Sequence, residues 1–219
     1  MRENLEAVRE RMRRALERAG RAPDSAALMA VTKTQPPQRI REAYAAGQRL
    51  FGENRVQEFE RKSPGLDLPG AEWHLIGTLQ SNKARRAATL FAAIQSVDSE
   101  RLAGRLDAAA AEAGRHLPVF LEVKLSPEAT KGGCAEGDLP ALAEAVRELP
   151  HLDLQGLMCI PPFTERPEDA RPFFRRLREW QDRLGLPGLS MGMTHDFEIA
   201  LEEGATLVRV GTAIFGERG

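Results

Sequence analysis

Cysteine, tyrosine, lysine and net charge are all scarce in this chain of 219 residues, and the scarcities exclude several classes of function. Two cysteines, Cys134 and Cys159, without C-x-x-C spacing, argue against a disulfide scaffold and read as inert thiols of a reducing compartment. Thirty-one basic against 32 acidic side chains leave a formal charge of -1, so the chain carries no electrostatic footprint for nucleic acid or for an anionic membrane. No stretch approaches the roughly 18 unbroken apolar residues of a spanning helix. The opening MRENLEAVRERMRRALERAG mixes acids and arginines at helical spacing and lacks the apolar centre of an export signal, so a cytoplasmic location is expected. His74, His116, His151 and His195 show neither HxxxH spacing nor a neighbouring cysteine or carboxylate cluster, and no metal is assigned.

What does recur is a short apolar, often β-branched run, then a polar turn, then a segment with apolar residues at helical spacing. Strands are expected at 27–32, 50–51, 73–76, 91–97, 119–125, 154–160, 189–193 and 207–210. Helices are expected near 39–46, 53–61, 81–88, 100–113, 139–149, 167–184 and 196–203, after the opening one. Such alternation implies parallel pairing with right-handed crossovers, and eight units close a (β/α)8 TIM barrel. The rival, an open doubly wound sheet, usually carries G-x-G-x-x-G after its first strand, where this chain reads VTKTQPP. The expectation is an α/β chain forming one TIM-barrel domain over 1–219, a monomer. The amphipathic opening helix is an extra element that caps it.

Barrel active sites are built from the loops after the strand C-termini, which nominates VTKTQPP, SMGMTHDFE and VRVGTAIFG. Lys33 leaves the first strand just ahead of two prolines. Only five of the 31 basic residues are lysine, at 33, 62, 83, 124 and 131, and an ε-amine can condense with an aldehyde where a guanidinium cannot. On position alone, a solvated strand-end lysine remains the plainer reading. Thr194, Gly211 and Thr212 offer hydroxyls and close backbone approach for a phosphate, although a Gly-Thr pair by itself is only a turn. Arg209 alternates with Val208 and Val210 and so points into the barrel, where an acidic side chain or a ligand atom must answer it.

The stretches AVTKTQP, FGENRVQE, EWHLIGTLQSNK, LEVKLSPEATKGG, GLMCIPP and LSMGMTHDFEIALEEGATLVRVGTAIFGER make the chain, from about Ala27 onward, resemble the small pyridoxal 5'-phosphate (PLP) homeostasis proteins, the YggS/PROSC-like family. The resemblance implies a barrel like the N-terminal domain of alanine racemase, with PLP held as a Schiff base on Lys33. It implies Arg209 at the pyridine nitrogen, Thr194, Gly211 and Thr212 at the phosphate, and Asn54 near the ring or its hydroxyl. Thr194 stands for the usual serine, His195 for a small or acidic residue, and Lys124 for an asparagine; Thr78 is also atypical.

The expected function is that of a PLP carrier or buffer with little turnover, PLP-dependent apo-enzymes being the recipients. An arginine at the pyridine nitrogen is a permanent donor that leaves this nitrogen unprotonated and the ring a poor electron sink. Racemisation also needs a base on the opposite face, for which Tyr44, expected to face away from the barrel mouth, and Cys159 are poor candidates. A low-activity amino-acid racemase is the alternative, and a Schiff-base aldolase without coloured cofactor is the third.

Overall fold

All eight expected apolar runs become strands. The computed structural model describes residues 1–126 and 132–216. In it β1 (Ala27–Val31), β2 (Leu50–Glu53), β3 (Glu72–Leu75), β4 (Ala93–Val97), β5 (Leu117–Glu122), β6 (Leu152–Met158), β7 (Gly188–Met193) and β8 (Leu207–Val210) form a closed barrel in chain order. Each neighbouring pair is parallel, and β8 returns to β1 in the register Ala27–Leu207 to Ala30–Val210. The expected (β/α)8 TIM barrel is what the chain forms.

Two apolar layers follow from the strand period of two. Met29, Val31, Ile76 and Leu207 pack together inside the barrel. Ala30, Phe51, Leu75, Ile94, Val208 and Val210 belong to the larger layer shared with the helices. Gly52 marks how tight the inner layer is, since a β-carbon there would lie 2.6 Å from Met29 Sδ.

The helices are α1 (Arg2–Arg18), α2 (Pro37–Ala45), α3 (Val56–Lys62), α4 (Ala84–Leu90), α5 (Glu100–Glu112), α6 (Leu139–Arg147), α7 (Arg171–Leu184), α8 (Phe197–Glu202) and α9 (Thr212–Phe215). Four differ from expectation, one of them because the segment expected from 167 opens with a 3-10 turn, Pro167–Ala170, before α7. The segment expected as a helix from 53 starts only at Val56, because Gly52 and Glu53 are taken into β2 by their register with His74 and Leu75. The segment from 81 opens with a 3-10 turn, Ser81–Lys83. The residues after β8 form the unexpected α9, too short to show a period in sequence.

Helix α1 buries Leu5, Val8, Met12, Ala15 and Leu16, one stripe, against α8 and α9. Arg11 forks onto Glu198 at 3.0 and 2.9 Å and lies 4.6 Å over the Phe197 ring, and Asn4 Nδ2 donates to the Ile214 carbonyl at 2.9 Å. Partly exposed ion pairs contribute at most about 1 kcal/mol each. A fully buried aliphatic side chain contributes about 1.5 kcal/mol or more. The apolar stripe therefore decides where α1 lies, which is on the flank behind the last two strands.

Gly192 has φ +89°, and a β-carbon there would lie 2.5 Å from Ala200 Cβ. Only glycine lets α8 sit this close to the end of β7 and sets the direction of the turn at Thr194. Among the described residues no helix is long and apolar enough to cross a membrane.

Candidate functional site

Lys33, Asn54, Thr194, Arg209, Gly211 and Thr212 all line one cavity of about 230 Å³ at the C-terminal ends of the strands, together with Val31, Ile76, Ile160, Met193 and His195. The six sequence-nominated residues reach it from the ends of four strands. Two turns are tied together there, because the Gly211 N–H donates to Thr194 Oγ1 at 3.3 Å. Among the described residues the buried Asn54 side-chain oxygen has no hydrogen-bond partner, an arrangement that costs about 1–3 kcal/mol unless a ligand donor answers it. His195 stacks at 5.6 Å on Phe163, which is 82% exposed, so it belongs to the rim rather than to the floor.

Arg209 is buried inside the barrel, as its alternation with valines requires. Of the two answers open to it, an acidic side chain or a ligand atom, the first is absent among the described residues. Instead Nη1 donates to Ser190 Oγ at 2.6 Å and Nη2 to the Cys159 carbonyl at 2.7 Å, while Asp196 and Glu122 act on it only through space. Neutral acceptors orient the guanidinium without quenching its charge. Ser190 passes the chain on: its hydroxyl donates to Gln95 Oε1 at 2.6 Å, and Gln95 Nε2 donates to His74 Nδ1 at 2.8 Å. Burial pulls His74 down to about 4, which keeps its ring neutral and its Nδ1 an acceptor.

Lys33 is held by its neighbours in the chain. The next residue, Thr34, has φ +63°, a left-handed conformation that β-branched residues rarely adopt and that costs about 1–3 kcal/mol. The Thr34 N–H donates to Glu58 Oε1 at 2.6 Å, and the Thr32 carbonyl accepts from Lys62 Nζ at 2.7 Å. Lys62 also meets Glu53 Oε1 at 2.7 Å and Glu58 Oε1 at 2.8 Å, and Glu53 Oε1 accepts from Thr32 Oγ1 at 2.6 Å. This clamp on the exit of β1 was missed from sequence, although Lys62 stands out among only five lysines.

Other nominated side chains lie elsewhere. Tyr44 donates to the Pro69 carbonyl at 2.7 Å, just before β3 begins and so at the opposite end of the barrel, as expected. Cys159 is fully buried and its thiol is pushed up to about 12 by desolvation, which removes it as a base. Lys124 is half-buried after β5 and does not line the cavity, and Lys131 lies outside the described residues. Among the described residues no group of three or more His, Cys, Asp or Glu side chains is placed to hold a metal ion.

Glu122, buried at the end of β5, is pushed up to about 7 by desolvation and by Asp98. Between about pH 4.5 and 6.5 the native state therefore holds a proton on Glu122 that the unfolded chain lacks, and stability from this group rises as pH falls. His74 acts oppositely, since only the unfolded chain is protonated there, and each contributes a slope of about 1.4 kcal/mol per pH unit. The two cancel in the wild type. In Glu122→Gln the Glu122 slope is lost while the His74 slope stays, so acidification from pH 6.5 to 4.5 should cost about 3 kcal/mol more than in the wild type, measured by urea unfolding. An unchanged pH profile would refute the assignment.

Comparison with known proteins adds three findings. The chain matches the family described as alanine racemase, N-terminal domain, over residues 4–219. It is 50% identical over 219 residues to a Pseudomonas aeruginosa protein named pyridoxal phosphate homeostasis protein, covering 99% of this chain and 95% of that one. It is 47% identical over 222 residues to an Aquifex aeolicus protein of the same name, covering 99% and 97%. Among solved structures it is similar to PipY of Synechococcus elongatus PCC7942 with PLP bound, with a TM-score of 0.83 and 44% identity, over 94% of this chain and 100% of that one.

Proposed function

The chain belongs to the alanine racemase N-terminal domain family and, within it, to the pyridoxal phosphate homeostasis proteins, and from that premise we propose that it binds PLP in the Lys33 cavity and serves as a carrier or buffer with little or no turnover. The observation that carries this reading is the convergence, in one small cavity, of an amine, a buried cation, an orphaned amide oxygen and a hydroxyl-bearing pair of turns. These are the groups that fit an aldehyde, a pyridine nitrogen, a ring hydroxyl and a phosphate.

When bound, PLP supplies an aldehyde that a neutral amine can attack. Lys33 holds it covalently, and the Thr34 strain and the Lys62 clamp fix where that amine stands. Arg209, pinned by Ser190 and Cys159, donates to the pyridine nitrogen and keeps it unprotonated. Thr194, Gly211 and Thr212 take the phosphate, at roughly 1.5–3 kcal/mol per charge-assisted bond. Asn54 would stand near the ring or its hydroxyl. The carrier reading is supported by the position of Tyr44 at the far end of the barrel and by the high value of the Cys159 thiol, which leave neither as a second base. The whole chain, 1–219, acts in this reading as one cytoplasmic, monomeric PLP-binding domain that passes its cargo to PLP-dependent apo-enzymes.

Borohydride reduction of the loaded protein followed by peptide mass spectrometry tests it. A pyridoxyl phosphate adduct on the Lys33 peptide is expected; no adduct on any lysine would sink the proposal. Exchange of the α-hydrogen of L-alanine at ordinary enzyme rates would defeat the carrier reading in favour of a racemase.

A further inference from the structure

A second cavity, of about 500 Å³, lies beside the first and is not used by the function proposed above. Its lining comes from the residue after Asn54, from α3 and from the turn after β3: Arg55, Arg61 and Lys83 supply charge, and Gln57, Thr78 and Gln80 supply neutral donors. Most arginines whose ion pairs are described here face a carboxylate across a short contact, as Arg11, Arg171 and Arg176 do. Arg55, Arg61 and Lys83 have no side-chain ion pair or hydrogen bond among the described residues. The one carboxylate in the lining, Glu58, is already engaged by Lys62 Nζ and by the Thr34 N–H. The three cations are therefore left with at most one shared, already satisfied counter-charge.

We propose that this cavity is a separate anion site that takes a phosphate group, either free phosphate or a phosphate monoester. Three cations, two from α3 and its N-cap and one from the turn after β3, with side-chain amides and a hydroxyl beside them, suit a tetrahedral dianion that accepts from several directions better than a planar carboxylate, which one bidentate arginine satisfies. Asn54 lines the Lys33 cavity and the next residue, Arg55, lines this one. The Asn54 backbone packs closely on Gly77, where a β-carbon would lie 2.3 Å from the Asn54 carbonyl oxygen.

Titration calorimetry at low ionic strength tests the proposal, with inorganic phosphate and phenyl phosphate added to PLP-loaded full-length protein. Saturable binding is expected, weakened at least about tenfold in Arg61→Gln/Lys83→Gln and unchanged in Arg105→Gln, an exposed cation of α5 outside both cavities. Tighter binding of phenyl phosphate would identify a monoester ligand and the reverse order free phosphate; both support the site. Absence of saturation by about 10 mM in the wild type, or an unaltered affinity in the double variant, overturns it. Tungstate soaked into crystals of unloaded protein gives an independent reading, since anomalous density must appear between Arg55, Arg61 and Lys83. A protein that takes up no PLP must still bind phosphate here, so the two proposals fail separately.

Discussion

Lys33→Ala should abolish the Schiff-base absorbance band of PLP-loaded protein and its borohydride-fixed adduct completely, and Lys33→Arg should do the same. Alanine lacks a nucleophile, and a guanidinium keeps its positive charge but cannot lose the proton that condensation requires. The pair of variants thus separates the role of the amine from that of its charge. Residual non-covalent binding, with the absorbance of the free aldehyde in place of the Schiff-base band, is expected in both, because the Thr194–Gly211–Thr212 turns and Arg209 line the same cavity and are untouched. Ultraviolet-visible spectra before and after borohydride, read beside equilibrium dialysis for total PLP, make the distinction. A colour band that survives in Lys33→Ala moves the anchor to another lysine, Lys124 or Lys131. The first of these does not line the cavity.

Lys62→Met should lower stability by about 3–5 kcal/mol, the range for removing one partner of a buried ion pair. Glu53 has no exposed surface, its Oε2 already lacks a partner, and Lys62 supplies the only cation that touches it among the described residues. Burial raises the Glu53 carboxyl, and hydrogen bonding from Lys62 is the first of the effects opposing that rise. Without Lys62 the carboxyl rises further and stays protonated to higher pH. A group raised in the folded state loses its contribution as pH climbs, so the damage should be smaller at pH 5 than at pH 8. Urea midpoints at both values test this sign. Lys62→Met/Glu53→Gln should recover part of the loss, since removing both charges leaves no buried ion. If the single variant is as stable as the wild type, the clamp on β1 is decorative. Cofactor retention should fall together with stability in Lys62→Met, because Thr32 and Thr34, on either side of Lys33, both hang on this cluster.

The placement of Arg209 was legible from Val208 and Val210 alone, because a strand can point its side chains only two ways. What answers Arg209 was not. A serine on β7 and a carbonyl after β6 are neutral groups distant in sequence, and no spacing rule brings Ser190 or Cys159 to that guanidinium. Lys33 was legible from its rarity and its strand-end position, while the left-handed Thr34 beside it was not, since nothing in threonine's chemistry announces that conformation. The opening helix was recognisable by its period, but its seat on α8 and α9 came from apolar matching across the whole chain length.

Sequence by itself determined the alternation of strands and helices, the count of eight and the loops that line the barrel mouth, because these depend on periodicity and on residue type within a few positions of one another. Only the tertiary structure decided that six residues share one cavity, that Lys62 and Glu53 brace the exit of β1, and that three cations meet beside Asn54. Those facts depend on barrel closure, which sets distances between segments far apart in the chain and buries charges whose partners are chosen by geometry rather than by sequence neighbourhood.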